Sequence, residues 1–329
     1  MKGDASDAGA AAVALAARSL DVAPADVRWK AKRHWANSTV WRFDSGRQRV
    51  VVKAGRDWTP EVVRELHVDA VALLEALGTE GRVFAVPSLG FARTPPMQCS
   101  DFVEGEDGSV EMASWLRETS GEPPEPANSL VFRWGEALAA YHGASKARLN
   151  EQDRAAASDH LRRISRWLGR SGGRAAEALS QFDGGTARSF VDVGLHNVRS
   201  TPEGRTCLLD LPVERIVTPV FYDVAQALAW LDDAYRDAPM GSRSKLRKRF
   251  GPKFIDGYES RSALPMRSPS ARHLTALYLT WCHFQWMRTA AKRRHFIDAP
   301  IRAAKGIVGL LRGPVGRSAF GEDGRQTSR

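Results

Sequence analysis

Asp192 is followed five positions later by Asn197, and Asn197 is followed thirteen positions later by Asp210. The three lie in two short segments, Phe190-Val191-Asp192-Val193-Gly194-Leu195-His196-Asn197 and Cys207-Leu208-Leu209-Asp210. A carboxylate on a loop can receive the proton of a hydroxyl group. An amide and a second carboxylate supply the hard oxygen ligands that magnesium takes, with water and phosphate oxygens filling its other positions. Phosphoryl transfer asks for little covalent work beyond this, because it rests on positioning and charge neutralisation. It also needs a cation beside the phosphates, and Lys53, ending the apolar run Val50-Val51-Val52, is suited to that place. Glu61, Glu65 and Asp69 follow at i, i+4 and i+8, on one face of a helix, as carboxylates that could pair with the lysine. Their spacing does not choose among them; Glu65 and Asp69 are the preferred pair.

The elements around these residues follow from periodicity. An alanine-rich amphipathic helix is expected over 6–20. Thr39–Phe43 and Gln48–Lys53, separated by Asp44-Ser45-Gly46-Arg47, read as a hairpin. Pro60 suits the first turn of a helix that reaches Leu77, with Val63, Leu66, Ala70, Leu73 and Leu74 on one face. Strands are expected over Phe84–Phe91, Met97–Val103 and Ser189–Val191. Helices are expected over Val131–His142 and Asp159–Leu168, with a loop at 121–126 between them and the strands. Asn197–Ser200 and Thr206–Leu209 read as a second hairpin around Thr201-Pro202-Glu203-Gly204, which would place Asn197 and Asp210 together at its open end. Three further helices are expected over 220–232, 244–258 and 270–295. The order is a β-rich first third and a helical remainder, an α+β chain with segregated halves.

Composition narrows the classes. Three cysteines, Cys99, Cys207 and Cys282, stand far apart, which argues against a disulfide framework or zinc site and fits a reducing cytoplasm. No stretch reads as a membrane span, and the early apolar run follows Asp4 and Asp7 rather than a basic region, so a signal peptide is not expected. The net charge of +10 is uneven: residues 240–329 carry 19 Lys and Arg against 5 Asp and Glu, and the rest is mildly acidic. The basic third points to anionic surroundings or to a solvated face.

The chain resembles the aminoglycoside phosphotransferase and choline kinase-like superfamily, a branch of the protein-kinase-like fold. The family loop commonly reads His-Gly-Asp-x-His-x-x-Asn, against which this chain sets Phe190-Val191-Asp192-Val193-Gly194-Leu195-His196-Asn197. Leu208-Leu209-Asp210 and Tyr222-Asp223-Val224-Ala225 look like the family's later signature, and Trp134–His142 is similar to the helix before the loop. The resemblance implies a small β-rich N-terminal lobe that binds ATP (1–100), a hinge at 101–105, a larger helical lobe for catalysis and acceptor (106–298), and a basic segment with a disordered tail (299–329). It implies Asp192 as catalytic base, Asn197 and Asp210 as Mg2+ ligands and Lys53 on the ATP phosphates. Backbone groups of Asp101-Phe102-Val103-Glu104-Gly105, Asp101 and Val103 in particular, would meet adenine. Asp223 would brace the loop by accepting backbone hydrogen bonds. Trp35-Ala36-Asn37-Ser38-Thr39 takes the place of the glycine-rich phosphate loop, with the Ser38 amide or hydroxyl as the phosphate contact. Phe190 stands for the family histidine, whose buttressing it would replace by packing, and Val191 stands for the glycine.

The acceptor is less legible. A basic helical half works against polycationic aminoglycosides and favours a neutral or anionic hydroxyl compound such as a sugar or glycan intermediate. Tyr278, Trp281, Phe284 and Trp286 are either core or a sugar-binding wall. Ile301, Ala304, Ile307, Val308 and Leu311, interleaved with Arg302, Lys305 and Arg312 behind Lys292-Arg293-Arg294, suit peripheral contact with an anionic membrane or packing on the helical lobe. Nucleic acid is a less favoured partner: a pure binder has no need of the Lys, Asp, Asn, Asp set. A protein substrate is disfavoured because only twelve residues separate Asp210 from Asp223.

Overall fold

The computed structural model describes residues 4–34, 37–46, 48–78, 81–118, 125–146, 149–170, 172–212, 216–233 and 240–292. The elements in chain order are α1 (Asp4–Leu20), β1 (Arg28–His34), β2 (Ser38–Asp44), β3 (Arg49–Gly55), α2 (Pro60–Leu77), β4 (Val83–Ala85), β5 (Ser88–Arg93) and β6 (Pro96–Asp101). Then come β7 (Glu106–Asp107), α3 (Gly108–Glu118), α4 (Glu125–Lys146), α5 (Glu151–Trp167), α6 (Gly172–Ser180) and β8 (Thr186–Arg188). The last are β9 (Val198–Ser200), β10 (Thr206–Leu208), β11 (Val217–Pro219), α7 (Phe221–Asp233), α8 (Met240–Arg261) and α9 (Pro269–Lys292). They form two compact units, one of residues 1–105 with 201–213, the other of 106–200 with 214–329.

The first unit is built on an antiparallel sheet ordered β1-β2-β3-β6-β5. Alternation along β2, β3 and β6 sends Trp41, Phe43, Val50, Val52, Met97 and Cys99 to one face, where they form a core with Ala12, Leu15 and Ala16 of α1. Lys53, opposite Val40 and Gln98 in register, points to the other face. There the Gln98 amide donates to Ser88 Oγ, which lies 2.9 Å from His67 Nδ1 of α2. Thr59 caps α2 by accepting from Val62 N, Pro60 opens it, and the helix ends at Gly78, whose φ of 74° suits glycine.

Two strand expectations change here. Arg28–His34, a segment the sequence reading leaves without an element, is a strand; five of its seven residues are basic, and it forms the sheet's edge, where charge deters pairing with other chains. The single strand expected over Phe84–Phe91 is two. Val86 N still bonds to Leu208 O, but Pro87 has no N–H, and its carbonyl accepts from Asp101 N instead. The chain thus leaves β4, which pairs in parallel with β10, and enters β5, which pairs with β6.

In the second unit the strand expected at Ser189–Val191 lies three residues earlier, as β8 paired with β11. From Phe190 onward no ladder continues: Phe190 N donates to the Asp223 carboxylate, Val191 N to Ser189 Oγ and Asp192 N to the Phe190 carbonyl. The helices extend the expected ones: α4 runs beyond 131–142 at both ends, and α6 was not anticipated. α4 and α8 cross at two glycines. A Cβ on Gly257 would fall 1.9 Å from the Phe132 carbonyl oxygen, and one on Gly135 would fall 2.1 Å from that of Phe254. Backbone cannot yield as a side chain can, so Gly257→Ala is expected to destabilise the protein by about 3 kcal/mol in urea unfolding. An unchanged midpoint would contradict this crossing.

Candidate active site

In the first unit the structure brings Lys53 and Asp210 together: Nζ lies 2.8 Å from Oδ1, with the lysine side chain 25% exposed and the aspartate 56%. β3 holds Lys53 in a fully paired ladder. Asp210 lies two residues past β10, which ends one residue earlier than expected, and its φ of 45° turns the chain out of extended conformation. Aspartate tolerates that region better than most residues. The Trp58 ring lies 6.0 Å from Lys53 Nζ, a cation–π contact that nothing in the pattern of the sequence announced.

On α2, Glu61 is exposed in the first turn, whereas Glu65 and Asp69 are half-buried one and two turns on. Ser38 opens β2 opposite Gly55, and Thr39 Oγ1 lies 3.0 Å from His34 Nδ1. Trp35 and Ala36 of the same expected phosphate loop lie outside the described residues. Asp101 is tied down within the first unit. Its N–H is given to Pro87, and its carboxylate accepts from Gln48 Nε2 at 3.2 Å and Phe102 N at 3.0 Å, closing the end of β6. Val103 is half-buried in the link to β7. The guanidiniums of Arg42 and Arg49 lie 5.1 and 5.3 Å from the Phe102 ring, and Arg49 also pairs with Glu104.

The loop of the second unit carries Asp192 and Asn197. Asp192 is exposed, its side chain 65% accessible, and His196 Nε2 stands 3.0 Å from its Oδ2. The water displaced by the loop opposes its charge, but the hydrogen bond and charge of His196, the Gly194 N–H and the Asn197 amide outweigh that, so the carboxyl lies below the usual aspartate range. Asn197 sits in a 3-10 turn, Leu195–Asn197, just before β9 rather than in the strand. It is buried, and its Nδ2 donates to the Asp192 carbonyl at 2.9 Å, which leaves Oδ1 as the atom able to meet a cation.

Below the loop lies a buried network. Asp223, at the start of α7, accepts from Ser189 Oγ and Phe190 N, each at 2.6 Å. His142 of α4 reaches the same carboxylate with Nε2 at 3.0 Å and meets Tyr258 OH with Nδ1 at 2.8 Å. Asp223 can only accept, so Nε2 carries the proton and Tyr258 donates to Nδ1. Burial and the nearby Asp223 charge push the Tyr258 phenol up, keeping that donor in place. Phe190 is buried edge-on against Tyr141, ring centroids 5.0 Å apart, so packing holds the loop at this position. His142, Tyr258 and Ser189 were not singled out from the sequence. A histidine on the buried face of a helix was the available signal.

Val191 has φ 65°, a conformation that β-branched residues rarely take. Val191→Gly is therefore expected to stabilise the protein by about 1 kcal/mol, the strain outweighing the chain entropy of glycine. A fall in the thermal midpoint would contradict this.

Of the aromatic residues considered for a sugar wall, Tyr278 is fully buried and stacked on His160, so it belongs to the core. Trp281 and Phe284 are half-buried and pack on Trp167. The basic amphipathic segment at 301–311 lies outside the described residues. No helix among the described residues is long and apolar enough to cross a membrane.

No protein-family model matches the sequence, and no curated protein matches it significantly. Solved structures do match in fold. An ethanolamine kinase of Plasmodium vivax superposes with a TM-score of 0.53 at 11% identity, covering 89% of this chain and 85% of that one. The aminoglycoside phosphotransferase APH(4)-Ia gives 0.54 at 13% identity, covering 91% and 97%. A thermostable mutant of it in ternary complex with AMP-PNP and hygromycin B gives 0.51 at 13%, covering 90% and 95%. The chain has the kinase-like α+β fold of these phosphotransferases, β-rich in its N-terminal region and helical in its C-terminal region.

Proposed function

We propose that this chain is a small-molecule kinase that moves the γ-phosphate of ATP, with Mg2+, to a hydroxyl of a sugar or glycan-related compound. The observation that carries the reading is the ion pair between Lys53 and Asp210. These two residues stand far apart in sequence, were singled out separately for phosphate and for metal, and share one place on this fold.

The residues fit the cofactor. Asp210 offers a half-exposed carboxylate and Asn197 an amide oxygen, a hard donor set that suits magnesium. When bound, magnesium would neutralise charge on the β- and γ-phosphates. Lys53 steadies the phosphates from β3. Asp192 orients the acceptor hydroxyl and takes its proton, its exposure leaving room for that hydroxyl. Glu65 and Asp69 remain the candidates for a second carboxylate facing Lys53, and the 101–105 segment, through Val103, for the adenine contact. APH(4)-Ia is seen with hygromycin B, an aminoglycoside; the excess of basic residues in 240–329 favours an uncharged or anionic acceptor here.

Thermal unfolding with and without ATP or GTP, each with Mg2+, tests the reading. Saturating nucleotide at about a hundred times its Kd adds about 2.7 kcal/mol of stability. A magnesium-dependent rise in midpoint that Lys53→Ala removes is the expected result. No shift at millimolar nucleotide would overturn it and turn attention to binding of nucleic acid or an anionic membrane without catalysis.

A further inference from the structure

Asp192 stands on an exposed loop, where a carboxylate is ordinarily free to turn about two side-chain bonds. Here it is not. His196 Nε2 lies 3.0 Å from Oδ2, and a carboxylate can only accept, so that nitrogen carries the proton. The imidazole is itself seated. A Cβ on Gly194 would fall 2.4 Å from His196 Cε1 and 2.5 Å from its Nδ1, so the ring lies directly on the glycine. Trp230 of α7 closes the same space, its Nε1 2.8 Å from that Cβ position. Below, Leu195 and Asn197 are buried, and Asn197 N donates to the Gly194 carbonyl at 3.0 Å, so the turn under the ring is anchored to the core.

We propose that His196 is a positioning residue for catalysis: seated on Gly194 beside Trp230, it holds Asp192 Oδ2 and so fixes the orientation in which the carboxylate meets the acceptor. The proposal rests on the kinase reading above. It differs from an ordinary surface i, i+4 pair because the seat of the ring is built, by a glycine with no room for a side chain and an indole from another helix. A pair on an exposed helix face has no such seat and contributes little. Holding the carboxylate in one orientation acts on turnover through the alignment of reacting atoms, and a misplacement of about 1 Å costs as much as 10²-fold. Nucleotide affinity is not involved.

The test compares the full-length protein with His196→Ala, Gly194→Ala and His196→Gln. The first removes the ring, the second displaces it without removing it, and the third restores an N–H donor at nearly the same reach. The probe is Mg·ATP turnover with water as acceptor, followed by phosphate release, with thermal midpoints measured alongside. The expected result is a fall in kcat of about 10-fold or more for both alanine variants, with KM for ATP within about twofold, and substantial recovery in His196→Gln. A kcat in His196→Ala equal to wild type overturns the proposal and leaves the kinase reading standing. So does a loss that His196→Gln does not recover. A wild-type protein whose midpoint does not respond to Mg·ATP and which releases no phosphate overturns both.

Discussion

Asp192→Ala is expected to lower turnover about 10²–10⁴-fold while leaving the unfolded fraction unchanged. The side chain is 65% exposed, so its removal takes little from the fold beyond its hydrogen bonds to its own loop. Surface substitutions of this kind fall within about 0.5 kcal/mol. What is lost is the group that receives the hydroxyl proton, and Asn197, whose amide is also held by the backbone carbonyl of residue 192, stays in place. The variant therefore separates catalysis from folding. Nucleotide binding, read as the Mg·ATP-dependent midpoint, is expected to persist in it. Near-normal turnover in Asp192→Ala would sink the assignment of the base.

Asp223→Ala is expected to do the reverse and destabilise the protein by about 3–5 kcal/mol, the cost of breaking a buried charged cluster. Its carboxylate is fully buried and takes hydrogen bonds from Ser189 Oγ, Phe190 N and His142 Nε2. Each of these donors is left without its acceptor where water does not reach, at a cost of about 1–3 kcal/mol apiece. Because two of the three lie in the segment leading to Asp192, turnover is expected to fall as well, although Asp223 does not touch the reacting atoms. Chemical denaturation measures the first effect. A loss below about 1 kcal/mol would mean that the network is not closed as described.

Much of the local structure was legible because short-range rules decide it. The helix from Pro60 to Leu77 has its cap, its proline and its apolar stripe in one stretch, and the Asp44–Gln48 turn separates two alternating runs. The loop around Asp192 was legible as a pattern of residue types. What escaped was decided by partners remote in sequence. β1 is mostly basic, without an apolar alternation to mark it, and takes its place as a strand through the ladder with β2. The break at Pro87 follows from two different neighbours, β10 and β6. His142 and Tyr258 carry no mark of their meeting with Asp223, and the spacing of α2 carboxylates could not reveal that Asp210 pairs with Lys53. The expected hairpin placed Asn197 and Asp210 within one or two residues of their elements, but periodicity cannot register a 3-10 turn or a left-handed aspartate.

The first unit draws on residues 1–105 and again on 201–213, and this sets an order on its synthesis. On the ribosome, β4 emerges long before β10, its parallel partner. Residues 106–200 must be translated in between, which at about 5–20 residues per second takes on the order of 5–20 s. During that interval an unpaired apolar strand is open to neighbouring nascent chains. Codons that slow the ribosome between the emergence of β4 and that of β10 lengthen this exposure, so recovery of soluble protein depends on where translation pauses.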